Sequence, residues 1–130
     1  MTVGLDTGFF VRLLQAHPTA QEVWRRILSG ELSAAISCLS LYELEKLGLR
    51  GAIEKATAET LVEELPHVCN VVWLDGPTIL RSAARVAHGH GLAMADAIIL
   101  APLVEAGAAE VYTTDRDLRN RSVGPKVIVL

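Results

Sequence analysis

The sequence predicts an α/β fold, a three-layer α/β/α sandwich around a central, mostly parallel sheet of about five strands. Short apolar stretches suited to strands, at 2–5, 33–37, 69–74, 110–113 and 126–130, alternate with segments of helical periodicity. A parallel strand pair needs a crossover long enough to hold a helix, so this alternation covers both faces of the sheet with helices. At 130 residues, 51% of them hydrophobic, the chain reads as one domain over 1–130 that can bury a core without disulfides.

The elements follow in order. TVGL at 2–5 is the first strand, and Asp6 follows it where a helix begins. In TAQEVWRRILSG, Ala20, Val23, Trp24, Ile27 and Leu28 recur at helical spacing, Thr19 and Glu22 are spaced as a capping box, and Gly30 is a stop. SAAIS is the second strand, followed by a helix from Ser40 in which S-x-x-E again reads as a capping box and places Glu43 in the first turn. Further helices start near Ala52, Pro77 and Met94, separated by the strands CNVVWL, EVYT and KVIVL. Pro102 lacks the N–H a helix interior uses, so the helix from Met94 is expected to kink or end there. His17, His67, His88 and His90 sit beside proline or glycine and read as turn or loop residues rather than metal ligands.

Composition narrows function. A net charge of -3 excludes a globally basic nucleic-acid binder, so a polyanionic substrate would need local help. The longest uncharged apolar run, AIILAPLV, is far below the roughly 20 residues that span a bilayer. No secretory leader pattern opens the sequence, and Cys38 and Cys69 stand apart with no C-x-x-C spacing, as expected of a soluble, cytoplasmic protein with structural thiols. The apolar content leaves surface for self-association or a tight protein partner. Glycine fingerprints for nucleotides and nucleophile elbows are absent.

The chemistry lies in the acids. In LAMADAIILA at 92–101, Asp96 is the one charged residue, and a carboxylate in apolar surroundings requires a cation, hydrogen-bond donors or a metal. In an open α/β sheet, ligands bind beyond the carboxyl ends of the strands. Asp6 and Asp115 directly follow strands, Glu43 follows SAAIS on its helix, and Asp96 can be aimed at the same edge. Two carboxylates about 5 Å apart repel by roughly 3 kcal/mol at an effective dielectric near 20. Either some protons stay on at neutral pH, or a hard divalent cation such as magnesium or manganese is held. Each acid also has a capping explanation: Asp6 for the helix at Thr7, Glu43 with Ser40, Asp96 as a first-turn acid, and Asp115 with Asp117 at a helix start. Arg116, Arg119, Arg121 and Lys126 gather near the last acids, as a solvated face or as a steering patch for phosphates.

With LDTGFFVRLL at the start, SLYELEKL in the first half, and LAMADAIILA and VYTTDRDL near the end, the sequence resembles the PIN-domain ribonucleases. Among them it is most similar to the short VapC-type toxins of toxin–antitoxin pairs. The likeness runs in order over nearly the whole chain. It implies a PIN-like sandwich and a magnesium- or manganese-dependent endoribonuclease, with Asp6, Glu43, Asp96 and Asp115 as catalytic acids. It further implies that Asp6, Asp96 and Asp115 hold the metal and Glu43 a metal water or the attacking water, with Thr7, Thr114 and Asp117 in support. Implied partners are structured RNA such as tRNA or ribosomal RNA, a small cognate antitoxin, and a second copy in a homodimer. Gly8 departs from the commoner Asn or Ser after DT, and Pro102 is a second departure. Two rival readings stay open: a receiver-like phosphoacceptor domain, which needs a paired early acid where Asp6 stands alone, and a catalytically silent PIN-like module that binds protein.

Overall fold

The computed structural model describes residues 1–120 and 124–130. Its elements run β1 (Thr2–Leu5), α1 (Thr7–Leu14), α2 (Pro18–Leu28), β2 (Ser33–Ser37), α3 (Cys38–Leu49), α4 (Lys55–Val68), β3 (Asn70–Val72), α5 (Pro77–His90), α6 (Met94–Glu105), β4 (Glu110–Thr113), a 3₁₀ turn (Arg116–Asn120) and β5 (Lys126–Val129). The five strands among the described residues form one sheet in the order β3-β2-β1-β4-β5, every neighbouring pair parallel. Arg121 lies outside the described residues.

Strand alternation divides the core into two layers. Val3, Leu5, Ala34, Ile36 and Tyr112 face α1 to α4, through Phe9, Phe10, Val23, Ile27, Leu44 and Leu65. Ala35 and Val111 face the other way, onto Ile99, Leu100 and Leu103 of α6, and α5 packs on α6. Phe9 and Phe10 are fully buried and stack edge-on at 5.3 Å, with Trp24 and Tyr112 around them, which anchors α1 and the start of its first turn. Gly4 belongs to the second layer. A Cβ there would meet Leu103 Cδ1 at 2.9 Å and Val111 Cγ2 at 3.1 Å, so the missing side chain lets α6 lie close on the central strand. Among the described residues no single helix is long and apolar enough to cross a membrane.

Several local expectations are corrected. Helix α2 starts two residues earlier than the Thr19–Glu22 box requires, because Pro18 is preset for the first helical position and His17 takes the cap position without a side-chain bond. Helix α3 starts at Cys38, capped by Ser37 through Leu39 N–H at 3.2 Å, so Ser40 and Glu43 form no capping box and Glu43 falls in the second turn. The helix expected from Ala52 begins at Lys55, after Gly51 turns the chain at φ 78°. His67 lies inside α4, and His88 and His90 lie inside α5, which runs to a left-handed Gly91. The third and fifth strands are shorter than 69–74 and 126–130. Burial pushes the Cys69 thiol up to about 12, fitting its structural reading, and Cys38 is also free.

Pro102 does not end α6, which continues to Glu105. The carbonyl it leaves without a helical donor is that of Ile98, four residues back. Ser37 Oγ donates to that carbonyl at 3.0 Å. One fully buried serine thus caps α3 and repairs α6, tying the two helices that carry Glu43 and Asp96. Ser37→Ala should cost about 2–4 kcal/mol in chemical denaturation, the sum of a lost cap and an orphaned carbonyl. With Pro102→Ala already in place the same change should cost only about 1 kcal/mol, because an alanine there returns the missing N–H donor. Equal costs in both backgrounds would refute the repair.

Candidate active site

The strand order reverses beside β1: the chain moves outward through β2 and β3, then returns to place β4 on the opposite side. Loops leaving β1 and β4 diverge there and leave a crevice at the carboxyl edge, the place where open α/β sheets bind ligands. Asp6 leaves β1 and Asp115 leaves β4. Helix α6 runs back to feed β4, which brings its first turn, with Asp96, to the same edge.

Hydrogen bonds fix Asp6 and Glu43. Asp6 Oδ1 accepts from Thr7 N–H at 2.6 Å, the capping bond of α1, and Oδ2 accepts from the Thr113 hydroxyl at 2.6 Å. The cap and the crevice therefore use the same carboxylate. The buried Thr7 hydroxyl donates to Glu43 Oε1 at 2.6 Å and is hydrogen-bonded to Ser40 Oγ at 3.0 Å. Thr113, fully buried, accepts from Asp115 N–H at 3.0 Å while it donates to Asp6, so one hydroxyl spans the crevice from β4 to β1. Asp115 Oδ1 in turn accepts from Asp117 N–H at 2.9 Å and caps the 3₁₀ turn.

Asp96 is held differently. It is half-buried, and its carboxylate makes no hydrogen bond or ion pair among the described residues. Ion pairs among the described residues join only Glu22, Arg25, Arg26 and Glu31, around the end of α2. Burial raises the Asp96 pKa, and the charges of Asp115, Glu43 and Asp117 raise it further. Burial likewise raises that of Asp6, against the Thr113 and Thr7 bonds that lower it, with Glu43 and Asp96 adding upward pressure. All five acids thus belong to one electrostatic neighbourhood. With Asp6 and Glu43 turned onto threonines, no three His, Cys, Asp or Glu side chains among the described residues close on a common ion position.

The predicted residues fall into distinct roles. Asp6, Glu43, Asp96, Asp115 and Asp117 are coupled through their charges. Thr7 bonds Glu43, whereas Thr114 bonds none of the acids; its neighbour Thr113 does. Sequence reasoning missed Thr113 and Ser40. Adjacent strand residues point to opposite faces, so only one hydroxyl of the Thr113–Thr114 pair can meet Asp6, and the register that decides which is not written in the motif. Arg116, Arg119 and Lys126 are exposed.

The PIN domain profile matches residues 3–123. The chain belongs to the PIN-domain family. No curated relative matches it by sequence. This PIN domain is similar in fold to VapBC2 from Rickettsia felis, solved bound to a promoter DNA fragment, with a TM-score of 0.73 at 16% identity over 100% of this chain and 99% of that one. A toxin–antitoxin complex from Klebsiella pneumoniae gives 0.67 at 18% identity over 98% and 96% of the two chains. VapBC-1 from nontypeable Haemophilus influenzae gives 0.66 at 18% over 99% and 98%. Five parallel strands flanked on both faces by helices are the PIN-like sandwich the sequence predicts.

The raised carboxyls carry a stability consequence. A folded state that holds a proton more tightly than the unfolded chain gains stability at low pH and loses it as pH rises from the ordinary value of 3.8 through the folded one. In chelator at pH 7, Asp96→Asn should unfold at higher denaturant than wild type, and the difference should shrink as pH falls toward 3.8. A variant no more stable than wild type at pH 7 would show that burial and the neighbouring charges do not penalise the Asp96 carboxylate.

Proposed function

We propose that this PIN domain is a divalent-metal-dependent endoribonuclease acting in the cytoplasm as the toxin of a toxin–antitoxin pair. The observation that carries the reading is the acid group itself: five carboxylates from four parts of the chain, two of them pushed up in pKa, with no cationic side chain paired to any of them among the described residues. Carboxylate and hydroxyl oxygens suit magnesium or manganese, and a divalent ion would offset both the burial and the like-charge repulsion that raise Asp6 and Asp96. Asp6, Asp96 and Asp115 would hold it. Once bound, it supplies an activated water and neutralises charge on the scissile phosphate and leaving oxygen.

The chain's own residues supply positioning. Thr113 and the first N–H of α1 fix both Asp6 oxygens, and Thr7, backed by Ser40, fixes one oxygen of Glu43. Glu43 then presents its other oxygen to orient the attacking water and accept its proton. Asp117, in the 3₁₀ turn that Asp115 caps, adds to the negative field on Asp96. Likeness in fold to toxin–antitoxin complexes supports a small antitoxin as partner. Self-association is supported by Leu80 and Met94, which are 51% and 75% exposed and border an apolar groove between α5 and α6. The substrate class is structured RNA, such as tRNA or ribosomal RNA. Strand order speaks against the receiver-like alternative, whose sheet runs 2-1-3-4-5.

Labelled tRNA and ribosomal RNA incubated with the purified protein should be cut in magnesium or manganese and left intact in chelator. Asp96→Asn should lower the rate about 100-fold or more while the protein stays folded by circular dichroism. Cleavage undiminished by chelator or by that substitution would overturn the assignment.

A further inference from the structure

Three threonines stand at the crevice, and the protein uses only two of their hydroxyls. Thr7 is committed to Glu43 and Ser40, and Thr113 to Asp6 and Asp115 N–H. The Thr114 side chain, half-exposed between Thr113 and Asp115, makes no hydrogen bond among the described residues. Its position is nevertheless tightly defined. It lies against the first turn of α1 at Gly8, where a Cβ would fall 2.1 Å from Thr114 Oγ1, 2.8 Å from Cγ2 and 2.9 Å from Cβ. Rotating the threonine relieves only the first two, so any side chain at residue 8 forces the two segments apart.

We propose that Gly8 makes room for the Thr114 side chain, and that the hydroxyl thereby held at the crevice is a substrate-orienting group that donates to a phosphate oxygen of the bound RNA. The proposal rests on the nuclease reading and adds to it a residue pair. Residue 8 is the second residue of α1, two past Asp6, and residue 114 immediately precedes Asp115. A hydroxyl held between them stands at the crevice whichever of the two backbones carries it. The steric relation makes the pair exchangeable: a serine at 8 would place its own oxygen where the threonine side chain now lies, provided residue 114 gives up its side chain.

The test uses variants of the full chain, with steady-state cleavage of labelled RNA in magnesium and thermal unfolding measured on each. Thr114→Ala should keep the wild-type melting temperature and lower kcat/KM about tenfold, the scale of one hydrogen bond to a charged group. Gly8→Ala should lower both cleavage and melting temperature. The deciding comparison is Gly8→Ser/Thr114→Gly against Gly8→Ala/Thr114→Gly, which share the same backbone changes and differ by one oxygen. The serine version should cleave about tenfold faster than the alanine version. Equal rates for those two, or a Thr114→Ala protein as fast as wild type, would overturn the proposal while leaving the nuclease reading standing. A wild-type protein that cuts no RNA would sink the nuclease reading and this inference with it.

Discussion

The structure depends on an unrelieved electrostatic cost: carboxylates from the end of β1, from α3 and α6 and from the turn after β4 are carried to one edge of a sheet, partly withdrawn from water, and left there without paired cations among the described residues. Like charges at close range cost more as water is withdrawn, so packing elsewhere must hold them together. That packing is the aromatic anchor of α1 at Phe9 and Phe10 and the close seating of α6 over Gly4. Such a cost, tolerated at an edge where open α/β sheets bind ligands, marks the crevice as the functional-site candidate and is the ground for proposing a cation there.

Threonine and serine hydroxyls complete the arrangement. Thr113 bridges the divergent loops at the strand reversal, Thr7 steadies Glu43, and Ser37 joins α3 to α6 through the carbonyl that Pro102 leaves open. Each of these hydroxyls is buried and each links segments distant in sequence, a use that suits small polar groups able to donate and accept at once. The proline that breaks α6's own ladder is accommodated because a neighbouring helix cap has a proton to give.

Much of this was legible in the chain. The strand and helix alternation pointed to the parallel sheet, and the placement of Asp6, Asp115 and Asp96 relative to strands located the edge on which they meet. Local rules misled where two of them competed. S-x-x-E spacing marked Ser40 as a cap, but Ser37 at the strand end was better placed, which freed Ser40 to back Thr7. Proline or glycine beside His67, His88 and His90 suggested turns, and Pro102 a kink or an end, yet burial of apolar residues in α4, α5 and α6 carried the helices through. The choice of Thr113 over Thr114, and the space Gly8 opens for Thr114, depend on register and on the approach of segments more than 100 residues apart. No short motif encodes that.

The central claim, that the acid crevice is a divalent-cation site, is tested most directly by adding manganese to isotope-labelled protein and recording which backbone amides broaden. A paramagnetic ion at the carboxyl edge should selectively erase the amides of residues 6–8, 43, 95–97 and 113–117 at substoichiometric metal, and magnesium should compete the broadening away. Broadening centred on the acidic side chains of α4, or none short of large excess, would contradict the account.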